Sequence, residues 1–516
     1  MTGYFRQSRW QRKGELIEPT IFELSQGRKD GYYRFSIEKE LFEEIENAKE
    51  LIPEKLMREE LNLPNLSEPE VVRHFSRLAE MNYGIDSGPY WLGSCTMKYN
   101  PKINERIAAN PKVRQLHPYQ PEETVQGALK IMYELGEMLG KITGLRHWTF
   151  QTSAGAHGEY LGCSIIRAYQ LDRGEKQRDE MLIPLSAHGS NFASAAMAGF
   201  KVVKIPIDDK GCTDMAALKA AIGDRTAGMM ITNPNTLGIF EEDILEIAEL
   251  IHGAGGLLYY DGANLNALLG KVLLSEMGVD IAHLNLHKTF STPHGTGGPG
   301  AGAVLVKDGL EDFMPIPMLR EKNGRYYFDY NVPKTIGRVK AFYGNFEVLV
   351  KAWAYLKTLG SEGLRKVSEI AVLNANYAFV KIRKLKRVSV VYGEDKPRKH
   401  EFVVSLKGAK SEIDAPALHV AKRLLDYGLH PPTIYFPPVV EEAFMMEPTE
   451  SDSREDIDYY VEVMRRILEE ELEKNPELVL NAPINSSIDR LDEVRAAREP
   501  ILSWKIYVRH YKGEKA

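Results

Sequence analysis

The sequence predicts an α/β chain, with a large domain on a mainly parallel sheet covered by helices on both faces and a smaller C-terminal α+β domain. Two observations carry this. Short apolar runs alternate with helical stretches through the middle of the chain, and several of those runs end in loops of small and polar residues. Alternation of this kind marks crossover units that bury both faces of a parallel sheet. Polar loops at strand ends gather at the edge where open α/β sheets bind ligands.

In chain order, residues 1–65 are rich in charge and are expected to form an N-terminal arm, with an amphipathic helix over 38–50. From 68 to 108, helical patterns are broken by Tyr90-Trp-Leu-Gly-Ser-Cys-Thr-Met-Lys-Tyr-Asn-Pro101. Its mixture of hydroxyl, thiol and aromatic groups suits a site-lining loop. A helix over 127–143 leads to 147–151, then to the small-residue loop Thr152-Ser-Ala-Gly-Ala156 and a second helix through Tyr169. Strands are predicted at 181–185, 201–205, 228–232, 257–260, 282–286 and 302–306, with helices at 215–221 and 242–254 among the connections. Residues 340–385 read as long helices. Strands near 388–392 and 401–406, with helices at 415–427 and 454–471, form the small domain. The expected boundaries are therefore an arm at 1–65, a large domain at 66–335, a helical connector at 336–386 and a small domain at 387–516.

The chain has 516 residues, too many for one simple core. A net charge of −6 gives no reason to expect nucleic acid or an anionic membrane as partner. Cys95, Cys163 and Cys212 lie far apart without a CxxC pair, which fits a reducing compartment. The first twenty residues carry charges of both signs and no apolar core of a signal, and no apolar run approaches a membrane span. A cytoplasmic protein is expected.

The run 281–286 ends in His287-Lys288-Thr289-Phe290 and opens into Ser291-Thr-Pro-His-Gly-Thr-Gly-Gly-Pro-Gly300. A lysine at the end of a buried strand is poorly solvated, which favours the neutral amine that attacks a carbonyl. With a histidine beside it and a glycine-rich loop behind it, Lys288 suggests the Schiff-base lysine of a pyridoxal-phosphate enzyme. A His-Lys pair by itself is usually an exposed turn, so the surrounding constellation decides. Asp261 ends the preceding predicted strand, where a carboxylate can keep a pyridine nitrogen protonated. Taken singly, it would more often be a helix cap. Lys288 follows it by 288 − 261 = 27 residues, at the end of the next strand, so the two can reach different sides of one ring.

The loop Ser153-Ala154-Gly155-Ala156 runs into a helix, and backbone N–H groups at a helix start suit a phosphate. His157 behind it could stack on a planar ring, or simply cap. His188, Asn235 and Thr236 also follow strands; each loop could be a plain turn, but together they bring polar groups to one edge. Rival motifs fail. No GxGxxG opens a helix after the first strand, the glycine loop lacks the GKS/T ending of a P-loop, and no histidine spacing suggests a metal. Cys95 has no base near it in sequence, so a buried structural thiol is the expected role.

Leu92-Gly-Ser-Cys-Thr-Met-Lys-Tyr-Asn-Pro101, Ser153-Ala-Gly-Ala-His-Gly-Glu-Tyr160, Ser186-Ala-His-Gly-Ser-Asn191, Asp261-Gly-Ala-Asn264, Asn285-Leu-His-Lys-Thr-Phe290 with Pro293-His-Gly295, and Met446-Glu-Pro-Thr-Glu-Ser451 together resemble the glycine cleavage system P-protein family. That family, glycine dehydrogenase (decarboxylating), has the fold type I, aspartate-aminotransferase-like architecture of pyridoxal 5'-phosphate enzymes. A chain of this length that holds the lysine resembles subunit 2 of the two-chain form. The resemblance implies a partner subunit 1, a two-plus-two heterotetramer, and a lipoylated H-protein whose arm takes the aminomethyl group after glycine loses CO2. It also implies that Lys288 bonds the cofactor, Asp261 pairs with the pyridine nitrogen with Ala263 beside it, and His157 stacks on the ring. Ser153, Ala154 and Gly155 would hold the phosphate, helped by His287, with Thr236 near the ring oxygen O3′. The rivals are another fold type I enzyme, such as an amino-acid decarboxylase or desulfurase, and a non-catalytic partner subunit. The presence of both Lys288 and Asp261 argues against the last.

Overall fold

A computed structural model describes residues 18–25, 40, 43–44, 51–57, 63–292, 300–486 and 490–512. Most of the helix expected over 38–50 and the 293–299 part of the glycine-rich loop lie outside the described residues.

Seven strands make the large sheet: β1 (His147–Thr152), β2 (Glu180–Pro184), β3 (Lys201–Ile205), β4 (Thr226–Thr232), β5 (Leu257–Gly262), β6 (Ile281–Asn285) and β7 (Gly302–Val306). Their order is β1-β7-β6-β5-β4-β2-β3, with β7 antiparallel to both of its neighbours and the other pairings parallel. Strands β4 to β7 are buried along their whole length, as helices on both faces require. Edge strand β3 instead exposes Lys201 and Lys204, charges that discourage pairing with another chain.

The pleat divides the core in two. Leu182, Met229 and Leu258 face one apolar layer, together with Leu129 of α1 (Gln126–Thr143) and Ile247 of α5 (Ile244–Gly253). Their strand neighbours Met181, Met230 and Tyr259 face the other layer, with Leu161 and Ile165 of α2 (Gly155–Asp172). Between them come α3 (Gly189–Met197) and α4 (Met215–Ala221), the latter capped by the Asp214 carboxylate, which accepts the N–H groups of Ala216 and Ala217.

After β6 the chain makes a single helical turn, α6 (Leu286–Thr289), so Lys288 sits one turn beyond the strand end that the sequence predicts for it. The hairpin β8 (Met318–Lys322) and β9 (Arg325–Asp329) was not foreseen. The long helix α7 (Phe346–Ile382) is kinked at Gly360, which has φ 61°. The small sheet has order β10-β12-β11, with β10 (Phe402–Ser405), β11 (Thr433–Ile434) and β12 (Ala443–Met446) all antiparallel. The strand expected at 388–392 is not one: only Ser389 bridges to Ser405, because Val391 is exposed and has no second face to cover. α8 (Arg454–Arg465) closes the region and runs on into a π-helical turn, Arg466–Glu471.

The chain divides into two compact units, and neither ends at 65, 335 or 386. One comprises Gly84–Leu424 and Leu429–Ala482 and holds both sheets. The other comprises Met1–Tyr83, Leu425–Gly428 and Pro483–Ala516. Within this second unit, the helix Glu68–Glu80 starts with a capping box between Ser67 and Glu70, and Glu18 receives both His74 and Arg77. Among the described residues no helix is long and apolar enough to cross a membrane.

Candidate active site

The carboxyl ends of β4, β5 and β6 and the first turn of α2 open onto a cavity of about 530 Å³ in the larger unit. Its other sides are lined by the Gly93–Cys95 loop, by Thr433 of the small sheet and by Phe436. Asp261 and Lys288 both line it.

Asp261, the penultimate residue of β5, is 2 % exposed. Its Oδ2 accepts the Asn191 amide at 2.9 Å and its Oδ1 accepts the Ala263 N–H at 3.0 Å. Burial alone would raise this carboxyl; His283, the Asn191 amide and the Ala263 N–H outweigh it and hold Asp261 below the ordinary carboxylate range. The His283 ring lies 3.3 Å from Asp261. The Tyr259 hydroxyl donates to its Nδ1 at 2.6 Å, and its Nε2–H donates to Asn285 at 2.8 Å, which fixes the tautomer. Burial lowers His283, so the ring is a neutral, oriented dipole.

Glu159 of α2 stands beside Asp261. It accepts the hydroxyls of Ser190 (2.8 Å) and Ser194 (3.1 Å), and burial followed by the Asp261 charge pushes it up to about 7. Ligand atoms of Glu159, Asp261 and His283 lie within 4.8 Å of one another, a spacing a metal could use. Serine, amide and backbone donors already engage them, so the group is a hydrogen-bond network in which Asp261 is held low, while burial and the Asp261 charge push Glu159 up against the pull of its serine donors.

Lys288 is half-buried, and its Nζ donates to the Ser94 carbonyl at 2.6 Å. Cys95, next along that loop, is not the buried structural thiol that the sequence suggests: it faces the cavity. Burial pushes its thiol up, with Lys288 opposing.

On the opposite wall the first-turn N–H groups of the 18-residue helix α2 have no partner inside the helix. Gly155 and Ala156 reach the cavity. Gly155 has to be glycine, because a β-carbon there would strike the Asn285 amide. His287 lines the same wall, its Nδ1 close to both the carbonyl (3.1 Å) and the N–H (3.2 Å) of Ala301.

The predicted residues divide accordingly. Lys288, Asp261, Ala263, Gly155, His287 and Thr236 line the cavity, Thr236 donating its hydroxyl to the Ser186 carbonyl. Ala154 is the α2 N-cap and Ser153 is exposed beside it; neither lines the cavity. His157 does not line it either. Its Nδ1 turns back to accept the Ser153 N–H at 3.2 Å, and Lys340 lies close by. Of the two histidines that follow strand-end loops, His188 is the one on the cavity wall, tilted against Phe436 at 5.4 Å between ring centroids. Glu159, His283 and Asn285 are further residues that sequence reasoning passed over. His188 had the signal of a strand-end loop, whereas His283 hides in an otherwise apolar strand. Thr433 and Phe436 come from far along the chain without any local pattern.

Residues 367–483 match the family described as "Glycine dehydrogenase, C-terminal domain", and residues 164–424 match "Aminotransferase class-V". A Pyrococcus furiosus protein named "Probable glycine dehydrogenase (decarboxylating) subunit 2" is 59% identical over 506 residues, 98% of each chain. A Caldanaerobacter subterraneus protein of the same name is 53% identical over 485 residues, 94% of this chain and 98% of its own. Among solved structures, a glycine decarboxylase (P-protein) of the glycine cleavage system in inhibitor-bound form superposes with a TM-score of 0.68 at 22% identity, covering 84% of this chain and 99% of its own. At that identity the likeness establishes the fold.

Proposed function

The chain belongs to the glycine dehydrogenase (decarboxylating) subunit 2 family, and on that premise we propose how its residues divide the work. It is a pyridoxal 5'-phosphate enzyme that decarboxylates glycine and passes on the aminomethyl group. The cofactor suits the residues present: an amine and a carboxylate open onto one cavity, and a helix start made close-fitting by Gly155 lies on its wall. When bound, pyridoxal phosphate supplies the carbonyl that bonds an amine and the ring that takes up the electron pair left as CO2 departs.

Lys288 would hold the cofactor's carbonyl carbon and Asp261 its pyridine nitrogen. The first turn of α2, with Gly155 and Ala156, would hold the phosphate through backbone N–H groups and the helix dipole, with His287 alongside. His188, and not His157, would cover the ring face. Asp261 stays ionised because Asn191, Ala263 and His283 bond or face its oxygens, while burial and the Asp261 charge push Glu159 beside it up to about 7. The walls keep water from the carbon that loses its carboxylate, since a proton taken from water would divert the reaction.

The acceptor of the aminomethyl group is the lipoyl arm of an H-protein, and the chain works with subunit 1 in a two-plus-two assembly. The relatives' designation as subunit 2 supports the need for a partner chain. A single observation carries the whole reading: Asp261 of β5 and Lys288, one helical turn beyond the neighbouring strand β6, line the same cavity. The test is the absorbance spectrum of the chain with and without subunit 1, followed by Lys288→Ala. The expected result is a band near the visible edge that vanishes in the variant. A band that survives the substitution, or none even with the partner present, overturns the assignment.

A further inference from the structure

Two buried carboxylates that the reaction above leaves unused stand behind the loop facing Lys288. Strands β10 and β12 pair Phe402 with Met446, so the next residues outward, Glu401 and Glu447, fall opposite each other. Both are at most 1 % exposed. Like charges directly opposed across a sheet repel. The buried His400 ring is 3.6 Å from Glu447 and 3.9 Å from Glu401, too far to donate to either.

What the two carboxylates do hold is the loop. The Ser94 N–H donates to Glu401 at 2.8 Å. The Thr96 N–H donates to Glu447 at 2.8 Å, and the Thr96 hydroxyl does so at 2.5 Å. These are the two strained residues of the loop, with φ of 65° at Ser94 and 46° at Thr96. That region costs a non-glycine residue on the order of 1 kcal/mol or more. Gly93 just before them packs so tightly that a β-carbon would lie 2.6 Å from the Met445 carbonyl oxygen. Each strained residue is thus fastened to its own buried acid, and between them the loop presents the Ser94 carbonyl to the Lys288 amine at 2.6 Å.

We propose that Glu401 and Glu447 are positioning residues, which fix the Ser94 carbonyl as the resting place of the Lys288 amine whenever glycine displaces that amine from the cofactor. The inference rests on Lys288 being the cofactor lysine, as proposed above. A displaced lysine left in the cavity competes with the glycine amine for the same carbon. A fixed acceptor to one side draws it out of reach and returns it when the product leaves. Burial pushes both acids up, Glu447 to about 7 against the pull of its Thr96 donors, and Glu401, with Glu447 as the next cause, well above its ordinary value.

The experiment uses the cofactor-loaded complex with subunit 1 and two variants, Glu447→Gln and Thr96→Ala. Cofactor content and the visible band are recorded first, then the rate at which mixed-in glycine changes that band. Both variants are expected to load and to show the band. The glycine-driven change is expected to slow roughly tenfold in Glu447→Gln, which turns a donor towards Thr96, and roughly threefold in Thr96→Ala, which removes one hydrogen bond. A merely structural clamp would lower thermal stability or cofactor content and leave the rate of the loaded fraction alone. Rates within about twofold of the unaltered enzyme in loaded variants overturn the proposal. If Glu447→Gln does not fold, Thr96→Ala decides alone, because it keeps the backbone bond and both acids. Survival of the band in Lys288→Ala is a separate result, which removes the site reading itself.

Discussion

Two histidines near the cavity differ in what the sequence could say about them. His157 sits in a small-residue motif and His188 follows a strand, so both were eligible to cover a ring. What separates them is helix geometry: His157 is on the first turn of α2, and its ring turns back to the Ser153 N–H. His188 precedes α3 and caps it, its Nδ1 accepting the Ser190 N–H, which leaves the ring face towards the cavity. A ring contact of this kind contributes about 1 kcal/mol, so His188→Ala is expected to weaken pyridoxal phosphate binding roughly fivefold by equilibrium titration, while His157→Ala leaves it nearly unchanged. The reverse order would return the stacking role to His157. Lys288 and Asp261 were legible because their chemistry is rare at strand ends. Glu159 was not, because a glutamate four residues into a helix gives no sign that it will be buried beside another acid.

At the level of elements, the join between α2 and the sheet does more than fill space. Gly162 of α2 lies against the Tyr259 ring, where a β-carbon would overlap the ring carbons. Tyr259 has no exposed surface and its hydroxyl is tied to His283, so the ring cannot swing aside. Helix propensity alone makes Gly162→Ala favourable by about 1 kcal/mol. Overpacking reverses the sign, and a net loss of about 1–3 kcal/mol is expected in urea unfolding. The push on Tyr259 also passes through His283 to Asp261, so the variant is expected to bind pyridoxal phosphate more weakly than its stability loss explains. An increase in stability with unchanged affinity would show that the helix rides further from β5 than the packing indicates. The strands at this join were readable from their apolar runs, and α2 from its continuity after the small loop. The hairpin β8–β9 was not, since Arg320, Glu321 and Arg325 break any alternation across it.

Over the whole molecule, the alternation of strands and helices was legible because each βαβ unit closes locally. The cavity was only half legible, because Thr433, Phe436, Glu401 and Glu447 arrive from a second sheet whose pairings are long-range and whose strands are short. That long-range burial leaves an unusual set of titratable groups and a pH dependence that can be worked out. Burial pushes Glu159, Glu447 and Asp452 each up to about 7, with a neighbouring acid adding to Glu159. Burial also lowers His400 to about 3 and His430 to about 4. An acid raised on folding binds its proton more tightly in the native state, so its stabilisation is complete below its unfolded pKa and is lost as pH rises through about 7. A histidine lowered on folding acts oppositely: its contribution grows as pH rises from the folded value and is complete above the ordinary 6.5. Each group changes stability by about 1.4 kcal/mol per pH unit while only one of the two states is protonated. From about pH 5 to about 6.5 the two histidines offset two of the three acids and leave a net loss of about 1.4 kcal/mol per pH unit, and above about pH 7 the acids are ionised in both states and the slope vanishes. The thermal midpoint of the cofactor-free chain is therefore expected to fall from about pH 5 to just above pH 7 and to level off by about pH 8. Glu159→Gln, which cannot ionise, is expected to make that fall shallower. A midpoint that keeps rising to about pH 8 would mean that these acids ionise freely in the fold and that their burial is relieved by water.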